Sequence, residues 1–244
     1  MDGWKKIWEE RDGLSEEFLR ENIDKEICVF AKLKQLDGFD ISVENEKAYQ
    51  RFLDEFQTMF ETMCRLAEDK GRICSVYEVG CGAGANLYLF DKWIDGFVGG
   101  GIDYSSKQID TIKSVLPRLN DLCCGEAIEV GTDIKYDVVM SESVFQYFPT
   151  NGYAKTVVEK MIVKAKKLVY IGDICDAQYE EEQMKARREK IYNYDELYKG
   201  LGRKFYSRDF FKEIAENNRK DILFTECKNE EYVNGKYMFN CYIY

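Results

Sequence analysis

The residues with the clearest chemical meaning in this chain lie in one short stretch, residues 75–84. An apolar run carrying one acid, Glu78, leads into glycines that alternate at Gly80, Gly82 and Gly84. Because glycine has no Cβ, such a loop lets a ligand lie directly against the backbone. Amides at the start of a following helix would face that ligand. The pattern predicts a nucleotide-like ligand at a strand-to-helix junction, with a cation of the ligand near the acid.

Histidine is absent from the sequence, and this excludes several kinds of chemistry. There is no Ser-His-Asp or Cys-His nucleophile, no histidine-ligated zinc and no imidazole base. The nine cysteines form no Cys-x-x-Cys pair, and the adjacent Cys123 and Cys124 lack partners at ligand spacing. We therefore expect no metal site. Any reaction must use carboxylates, tyrosines, amides, the backbone or a cofactor.

Charge and composition restrict the partners of the chain. A formal net charge of −10 argues against a nucleic-acid duplex or an anionic membrane surface as the main partner. No run approaches the ~18 apolar residues of a membrane helix. The charged first ten residues do not read as a secretory signal, and the odd number of cysteines favours free thiols. These features predict a cytoplasmic protein that acts on a small molecule, with the oligomeric state left open.

The elements that must position the glycine loop follow from hydrophobic periodicity. Residues 1–70 read as helical, with the strongest helix at 45–69. Strands and helices then alternate, as expected for a parallel sheet. The predicted strands are 73–79, 97–103, 122–124, 136–140 and 168–172, and the predicted helices between them are 87–93, 105–117 and 157–165, the second one starting with a capping box at Ser105–Gln108.

The final strands are predicted to be antiparallel neighbours. Residues 222–227 and 237–244 are joined by only nine residues that include the turn pair Asn234-Gly235. A parallel crossover needs about a dozen or more residues. Before them, the charged stretch 177–206 has two interpretations, a solvated helix face or a lid over a substrate pocket, and Ser207 is predicted to cap the next helix.

Two cofactor classes compete for the glycine loop. A dinucleotide fingerprint would use Gly80, Gly82 and Ala85, with Asp103 about 20 residues later on a ribose. Glu78 instead places negative charge where a pyrophosphate would lie. Gly84 comes one residue early for that fingerprint, and an antiparallel last strand is foreign to the simple dinucleotide fold. The residues favour a ligand with an ammonium group over a dinucleotide.

Over roughly residues 45–244 the chain resembles the class I S-adenosylmethionine-dependent methyltransferases. Glu-Val-Gly-Cys-Gly-Ala-Gly at 78–84 is similar to the first motif of that family, and residues 136–141 with 144–149 resemble the fourth-strand motif at the methyl-transfer centre. Gln146 departs from the family, which often has histidine there. The resemblance implies that S-adenosylmethionine is the cofactor and that its contacts are Glu78, Gly80, Gly82, Gly84, Asp103 on the ribose, Tyr104, Glu126 and Ala127 by the adenine, and Ser141.

The same resemblance implies an α/β fold. We expect a Rossmann-like, seven-stranded, mostly parallel sheet with an antiparallel last strand and helices on both faces. Residues 1–44 would form an N-terminal helical cap segment, residues 45–244 the catalytic domain, and residues 177–206 a helical insertion or lid. Trp4 and Trp8 in the first segment are interpreted as packing residues or as an aromatic lid.

Methyl transfer to a hydroxyl or protonated amine also requires a proton acceptor. With histidine absent, the candidates near the ends of the fourth and fifth strands are Glu142, Tyr147, Asp173 and Asp176, of which we select the first three as catalytic. Each has a structural alternative: Glu142 as a helix cap, Tyr147 as a core residue, and the aspartates as loop acids or caps.

The predicted function is methyl transfer from S-adenosylmethionine to a small molecule by in-line displacement. The acceptor atom is oxygen or nitrogen, and a sugar or polysaccharide precursor is one candidate acceptor. Two alternatives stay open: an NAD(P)-dependent oxidoreductase on a similar fold, and a non-catalytic module that only binds the cofactor.

Overall fold

The computed structural model describes residues 2–10, 13–39, 46–227 and 234–244. Its strands are β1 Ser75–Val79, β2 Val98–Asp103, β3 Asp121–Cys124, β4 Tyr136–Glu142, β5 Ala165–Cys175, β6 Ile222–Glu226 and β7 Met238–Ile243. They form a seven-stranded sheet in the order β3-β2-β1-β4-β5-β7-β6. The first five strands pair in parallel, and β7 runs antiparallel to both β5 and β6. The predicted sheet, with its reversed last strand, is confirmed.

Alternating side chains along the central strands bury both faces of the sheet. Val76 of β1 and Val138 of β4 belong to one core, whereas Tyr77 and Val139, one position later on each strand, belong to the other. Each fully buried side chain of this size contributes about 1.5–3 kcal/mol through the hydrophobic effect. Continuous apolar strands therefore have to be covered by helices on both sides.

The helices that cover the sheet are α1 Asp2–Glu9, α2 Glu16–Asn22, α3 Glu26–Leu36, α4 Glu46–Leu66, α5 Ala85–Trp93, α6 Ser106–Val115, α7 Asn151–Lys164, α8 Glu180–Lys190, α9 Tyr194–Leu197 and α10 Arg208–Asn217. The core on one face receives buried residues from α3, α4, α5 and α6. The core on the other face receives them from α7 and α10. Within the described ranges, no helix is both long and apolar enough to cross a membrane.

Several local predictions are confirmed and others are wrong. The Ser207 side chain caps α10, as predicted, by accepting a hydrogen bond from the Phe210 amide. Ser105 precedes α6, but its side chain makes no cap hydrogen bond, so the predicted capping box does not form; the Ser105 backbone amide donates to the Asp103 carboxylate. The Asn234-Gly235 pair does not form the expected tight turn. Asn234 has φ −86°, and the short 3₁₀ turn Gly235–Tyr237 follows it; residues 228–233 of this connection lie outside the described part.

The fifth strand is longer than predicted, and this moves one candidate residue. β5 continues to Cys175, so Asp173 lies within the strand rather than after it. The pairing with β7 is irregular between Ile171 and Ile174. At this irregularity the backbone of Asp173 adopts φ 56°, in the left-handed region that non-glycine residues rarely enter.

The topology gives the site its location. Strand order reverses between β1 and β4, the position at which open α/β sheets bind ligands outside the carboxyl ends of the strands. Glu142 ends β4 and Asp103 ends β2, and the glycine loop follows β1. All of them therefore lie along the same edge of the sheet.

Candidate active site

A cavity of about 990 Å³, its open mouth included, lies at this edge. Nine of the predicted site residues line it: Glu78, Gly80, Gly82, Asp103, Tyr104, Glu126, Ala127, Glu142 and Tyr147. Nine of the twelve predicted site residues therefore meet in one cavity.

The glycine loop is shaped so that side chains are excluded. Gly80, Gly82 and Gly84 have φ of 74°, 49° and 85°, all in the left-handed region. A Cβ on Gly82 would collide with the carboxylate of Asp37, and a Cβ on Gly80 would collide with Val144. The loop is thus a bare backbone cradle, which is what close approach of a ligand requires.

Asp103 ties this loop to the end of β2. The Gly82 amide donates to one carboxylate oxygen of Asp103 at 3.0 Å, and the Ser105 amide donates to the other at 2.9 Å. Asp103 is only 9% exposed, and burial raises the pKa of its carboxyl. Its oxygens face the cavity with further acceptor capacity, as binding of ligand hydroxyls would require.

Glu78 and Glu142 are joined by a shared donor. The Asn86 side-chain nitrogen donates to Glu78 at 2.7 Å and to Glu142 at 2.6 Å, and the Lys34 ammonium donates to the Asn86 oxygen at 3.4 Å. Burial raises the pKa of Glu78 well above its usual range, and the nearby charge of Glu142 raises it further. The second Glu78 oxygen is buried and has no hydrogen-bond partner.

These observations test whether S-adenosylmethionine fits the cavity. A buried carboxylate oxygen without a partner suits the ammonium of the methionine part, and Gly80 and Gly82 line the cavity without side chains. The residues present therefore fit the cofactor implied by the motifs.

The end of the cavity assigned to the adenine is formed after β3. Glu126 makes a reciprocal capping box with Glu129, which fixes the start of a short 3₁₀ turn. The Tyr153 hydroxyl donates to Glu126 at 3.4 Å, and its ring packs on Phe148 with centroids 4.9 Å apart. Ala127 follows Glu126 and is nearly buried. A small residue on this part of the wall leaves space for a flat base.

The opposite end of the cavity is aromatic. The Tyr147 ring lies 4.8 Å from the Trp4 ring and 6.0 Å from the Trp8 ring, centroid to centroid. The Trp4 indole nitrogen donates to the Gly202 carbonyl at 3.1 Å, which anchors α1 to the segment after α9. Both tryptophans line the cavity, so α1 forms part of its wall.

Three of the predicted site residues do not line the cavity. Gly84 precedes α5 as its N-cap. Ser141 is fully buried and donates to the Val79 carbonyl at 2.8 Å. Asp173 accepts a hydrogen bond from the Ser143 hydroxyl at 2.5 Å, and burial together with the Glu142 charge raises its pKa to about 6. Their contacts hold the strand ends that carry the lining residues.

The other candidates are placed as follows. Glu142 ends β4 rather than capping a helix, and it faces the cavity. Asp176 caps the 3₁₀ turn Ala177–Tyr179 and pairs with Arg208, so its structural alternative holds. Within the described ranges, no group of three or more cysteine or carboxylate side chains is arranged to hold a metal ion.

Sequence reasoning missed several polar residues of the wall, among them Lys34, Asp37 and Asn86. Asn86 directly follows the glycine loop at the start of α5, and that position was a usable signal. Lys34 and Asp37 come from the end of α3, and the Ala83 amide donates to Asp37 at 2.6 Å across 46 residues of sequence. No periodicity or motif in the chain marks such a contact.

Comparisons with known proteins agree with this geometry. No protein-family model matches the chain. A curated relative, the peramine synthetase ppzA of Metarhizium rileyi, is 28% identical over 130 residues, which is 49% of this chain but only 4% of that much longer protein.

Solved structures match almost the whole chain. The magnesium protoporphyrin IX methyltransferase ChlM of Synechocystis, with bound S-adenosylmethionine, superposes with a TM-score of 0.53 at 14% identity over 98% of this chain and 94% of ChlM. CalS10 of Micromonospora echinaspora, an amino pentose methyltransferase, superposes with a TM-score of 0.55 at 11% identity over 84% and 98%. The chain therefore has the fold of the class I S-adenosylmethionine-dependent methyltransferases, as its motifs predicted.

Proposed function

We propose that this protein transfers a methyl group from S-adenosylmethionine to a hydroxyl or amine of a small molecule. The observation that carries the proposal is the unpartnered, buried oxygen of Glu78 beside the bare backbone of Gly82. The methionine part of this cofactor carries an ammonium cation, which would meet Glu78 while the rest of that part lies against the glycine loop. CalS10 and ChlM, whose fold the chain shares, are themselves methyltransferases and add support.

Each part of the cavity wall has a proposed role in holding the cofactor. Glu78 accepts from the ammonium, Gly80 and Gly82 lie against the methionine part, and Asp103 accepts from the ribose hydroxyls. Tyr104 lies beside the ribose, and Glu126 and Ala127 border the adenine. Gly84 and Ser141 act indirectly, by fixing the loop and the end of β4.

The bound cofactor supplies an electrophilic methyl group on a sulfonium. The chain must then hold the acceptor atom in line and keep water out, a positioning effect that contributes several kcal/mol to lowering the barrier. Tyr147, Trp4 and Trp8 provide the apolar wall for this. Glu142 takes the proton that leaves the acceptor oxygen or nitrogen, since its carboxylate faces the cavity.

Asp173 has a positioning role in this proposal. Its carboxylate fixes Ser143, the residue after Glu142, and both Ser143 and Asp173 have φ of 56°. Two neighbouring non-glycine residues in the left-handed region persist only when the surrounding contacts impose them, and such strain concentrates at functional sites. The pair therefore orients the end of β4 that carries the proton acceptor.

A turnover experiment tests the proposal. The protein is incubated with S-adenosylmethionine and a panel of small hydroxyl and amine acceptors, sugars and amino sugars included, and S-adenosylhomocysteine release is measured. We expect release with at least one acceptor class. Cofactor binding without release on any acceptor would favour the non-catalytic module.

Glu142→Gln separates chemistry from binding in the same assay. We expect this variant to lose about 100-fold or more of the turnover rate, the usual contribution of a general base, while it still binds S-adenosylhomocysteine. Glu68→Gln, an exposed carboxylate in the short turn after α4, is the matched control and should retain full turnover. Unchanged turnover in Glu142→Gln would remove Glu142 from the mechanism.

A further inference from the structure

Two arginines behind the aromatic end of the cavity lack acidic partners. Arg188 pairs with Asp195, and Arg208 pairs with Glu226, as surface arginines commonly do. Among the described residues, by contrast, neither Arg187 nor Arg203 lies within ion-pair distance of a carboxylate. Both are half-buried. A guanidinium partly removed from water without a counter-charge is costly, so such groups are normally paired.

Their buried polar atoms are also unpartnered. The Nε atoms of Arg187 and Arg203 have no hydrogen-bond partner, whereas the fully buried Gln183 lies against the Cys175 sulfur. The three side chains surround the Cys175 sulfur, to which an Arg203 Nη donates at 3.5 Å. Burial raises the pKa of this thiol, so the sulfur is neutral and supplies no counter-charge. Clustered orphan donors in a native interior call for an explanation.

This cluster adjoins the end of the cavity where the acceptor binds. The Arg203 guanidinium carbon lies 5.5 Å from the centroid of the Tyr147 ring, and Tyr147 lines the cavity. Gly202, the neighbour of Arg203, accepts the hydrogen bond from Trp4, which lines the same wall. Arg203 therefore packs against the aromatic wall, and Arg187 lies near it at the Cys175 sulfur.

We propose that the methyl acceptor carries an oxyacid anion, a carboxylate or a phosphate, which binds at Arg187 and Arg203. The inference rests on the proposed function, since it assigns the class of that same acceptor. The guanidinium fork matches the paired oxygens of either anion. The chain has a net charge of −10, so most of its surface would repel an anion. Arg187 and Arg203, which have no carboxylate partner, would attract one at this place.

The test uses three small aromatic probes on the full chain, with and without saturating S-adenosylhomocysteine. Benzoate and phenyl phosphate carry the anion, and benzamide is the neutral analogue. We expect at least one anion to bind about tenfold or more tightly than benzamide in calorimetry, a difference of about 1.4 kcal/mol. The stronger of the two anions identifies the oxyacid.

Variants test whether the preference for the anions over benzamide depends on the two arginines. Arg203→Gln and Arg187→Gln should each abolish it while the affinity for S-adenosylhomocysteine stays unchanged, and Arg188→Gln on the same helix should keep it. If one of these two variants fails to bind S-adenosylhomocysteine, the anion preference of the other variant decides whether the anion site exists. Equal binding of benzamide and both anions, or an anion preference that survives both variants, overturns the anion site. Anion binding by a chain that binds no S-adenosylhomocysteine would instead refute the proposed function and leave the anion site standing.

Discussion

Gly82 lies where any side chain would meet Asp37, and this makes it the most demanding residue of the loop. Its φ of 49° adds about 1–2 kcal/mol of strain for any residue with a Cβ. We expect Gly82→Leu to lower the affinity for S-adenosylhomocysteine by about 100-fold or more, since the new side chain would collide with Asp37 and displace the glycine loop. Titration calorimetry measures the affinity, and the far-UV spectrum reports whether the fold is retained.

Gly131→Ala provides the matched control for this variant. Gly131 has open space where a Cβ would lie and no left-handed backbone, so the alanine should change neither binding nor stability. A Gly82→Leu protein that binds as tightly as the wild type would show that the ligand does not lie against this loop.

Glu78 gives cofactor binding a pH dependence. In the free chain burial holds the pKa of Glu78 well above its usual range, so the carboxyl stays protonated as the pH rises past about 4.3. An ammonium beside it favours the ionised form, and binding must then release a proton. The affinity for S-adenosylhomocysteine should therefore increase with pH until the pH passes the free-state pKa of Glu78.

Proton release is measured by calorimetry in buffers of different ionisation enthalpy. In Glu78→Gln the glutamine oxygen can still accept the hydrogen bond from Asn86, but the side chain cannot ionise. This variant should therefore bind S-adenosylhomocysteine more weakly and release no proton from this position. Equal proton release by wild type and Glu78→Gln would mean that another group titrates on binding.

At the scale of elements, helix α1 is attached to the body mainly through Trp4. The Trp4 indole nitrogen donates a hydrogen bond to the Gly202 carbonyl, and the ring packs on Tyr147 and Tyr198 at centroid distances of 4.8 and 5.6 Å. Trp8 of the same helix also packs on Tyr147. A peripheral helix with few anchors should open locally rather than with the whole fold. We expect Trp4→Ala to speed hydrogen exchange in residues 2–9 while exchange in β1 and β4 stays unchanged.

Trp93→Ala is the control for this prediction. Trp93 packs on Phe56 and Phe60, away from α1, and its removal should leave exchange in α1 unaltered. Slow exchange in α1 of Trp4→Ala would show that the helix is held by other contacts, and the aromatic wall would then not depend on Trp4.

The elements that the sequence predicted best are those with local signals. The strand, glycine loop and helix around β1 follow from residue types within a dozen positions, and so do the buried apolar run of β4 and the Ser207 cap. The length of β5 did not follow, because its continuation to Cys175 depends on pairing with β7, far along the chain. Asp173 therefore lies inside β5, two residues before its end, instead of directly after the strand.

At the scale of the whole molecule, the site unites segments that are distant in sequence. The motifs predicted the part of the wall built from β1, β2 and β4, but not Lys34 and Asp37, which α3 contributes. Nor did they indicate that Trp4 and Arg203, at opposite ends of the chain, meet around Tyr147. Such contacts arise from packing, which leaves no periodic trace in the sequence.

The central claim is that the cavity binds the product form of the methyl donor, and calorimetric titration of the full chain with S-adenosylhomocysteine tests it most directly. NAD is titrated in parallel, because the dinucleotide fingerprint is the competing interpretation of the same loop. The account predicts saturable binding of S-adenosylhomocysteine, lost in Gly82→Leu, and no binding of NAD. Saturable binding of NAD with no heat from S-adenosylhomocysteine would contradict it.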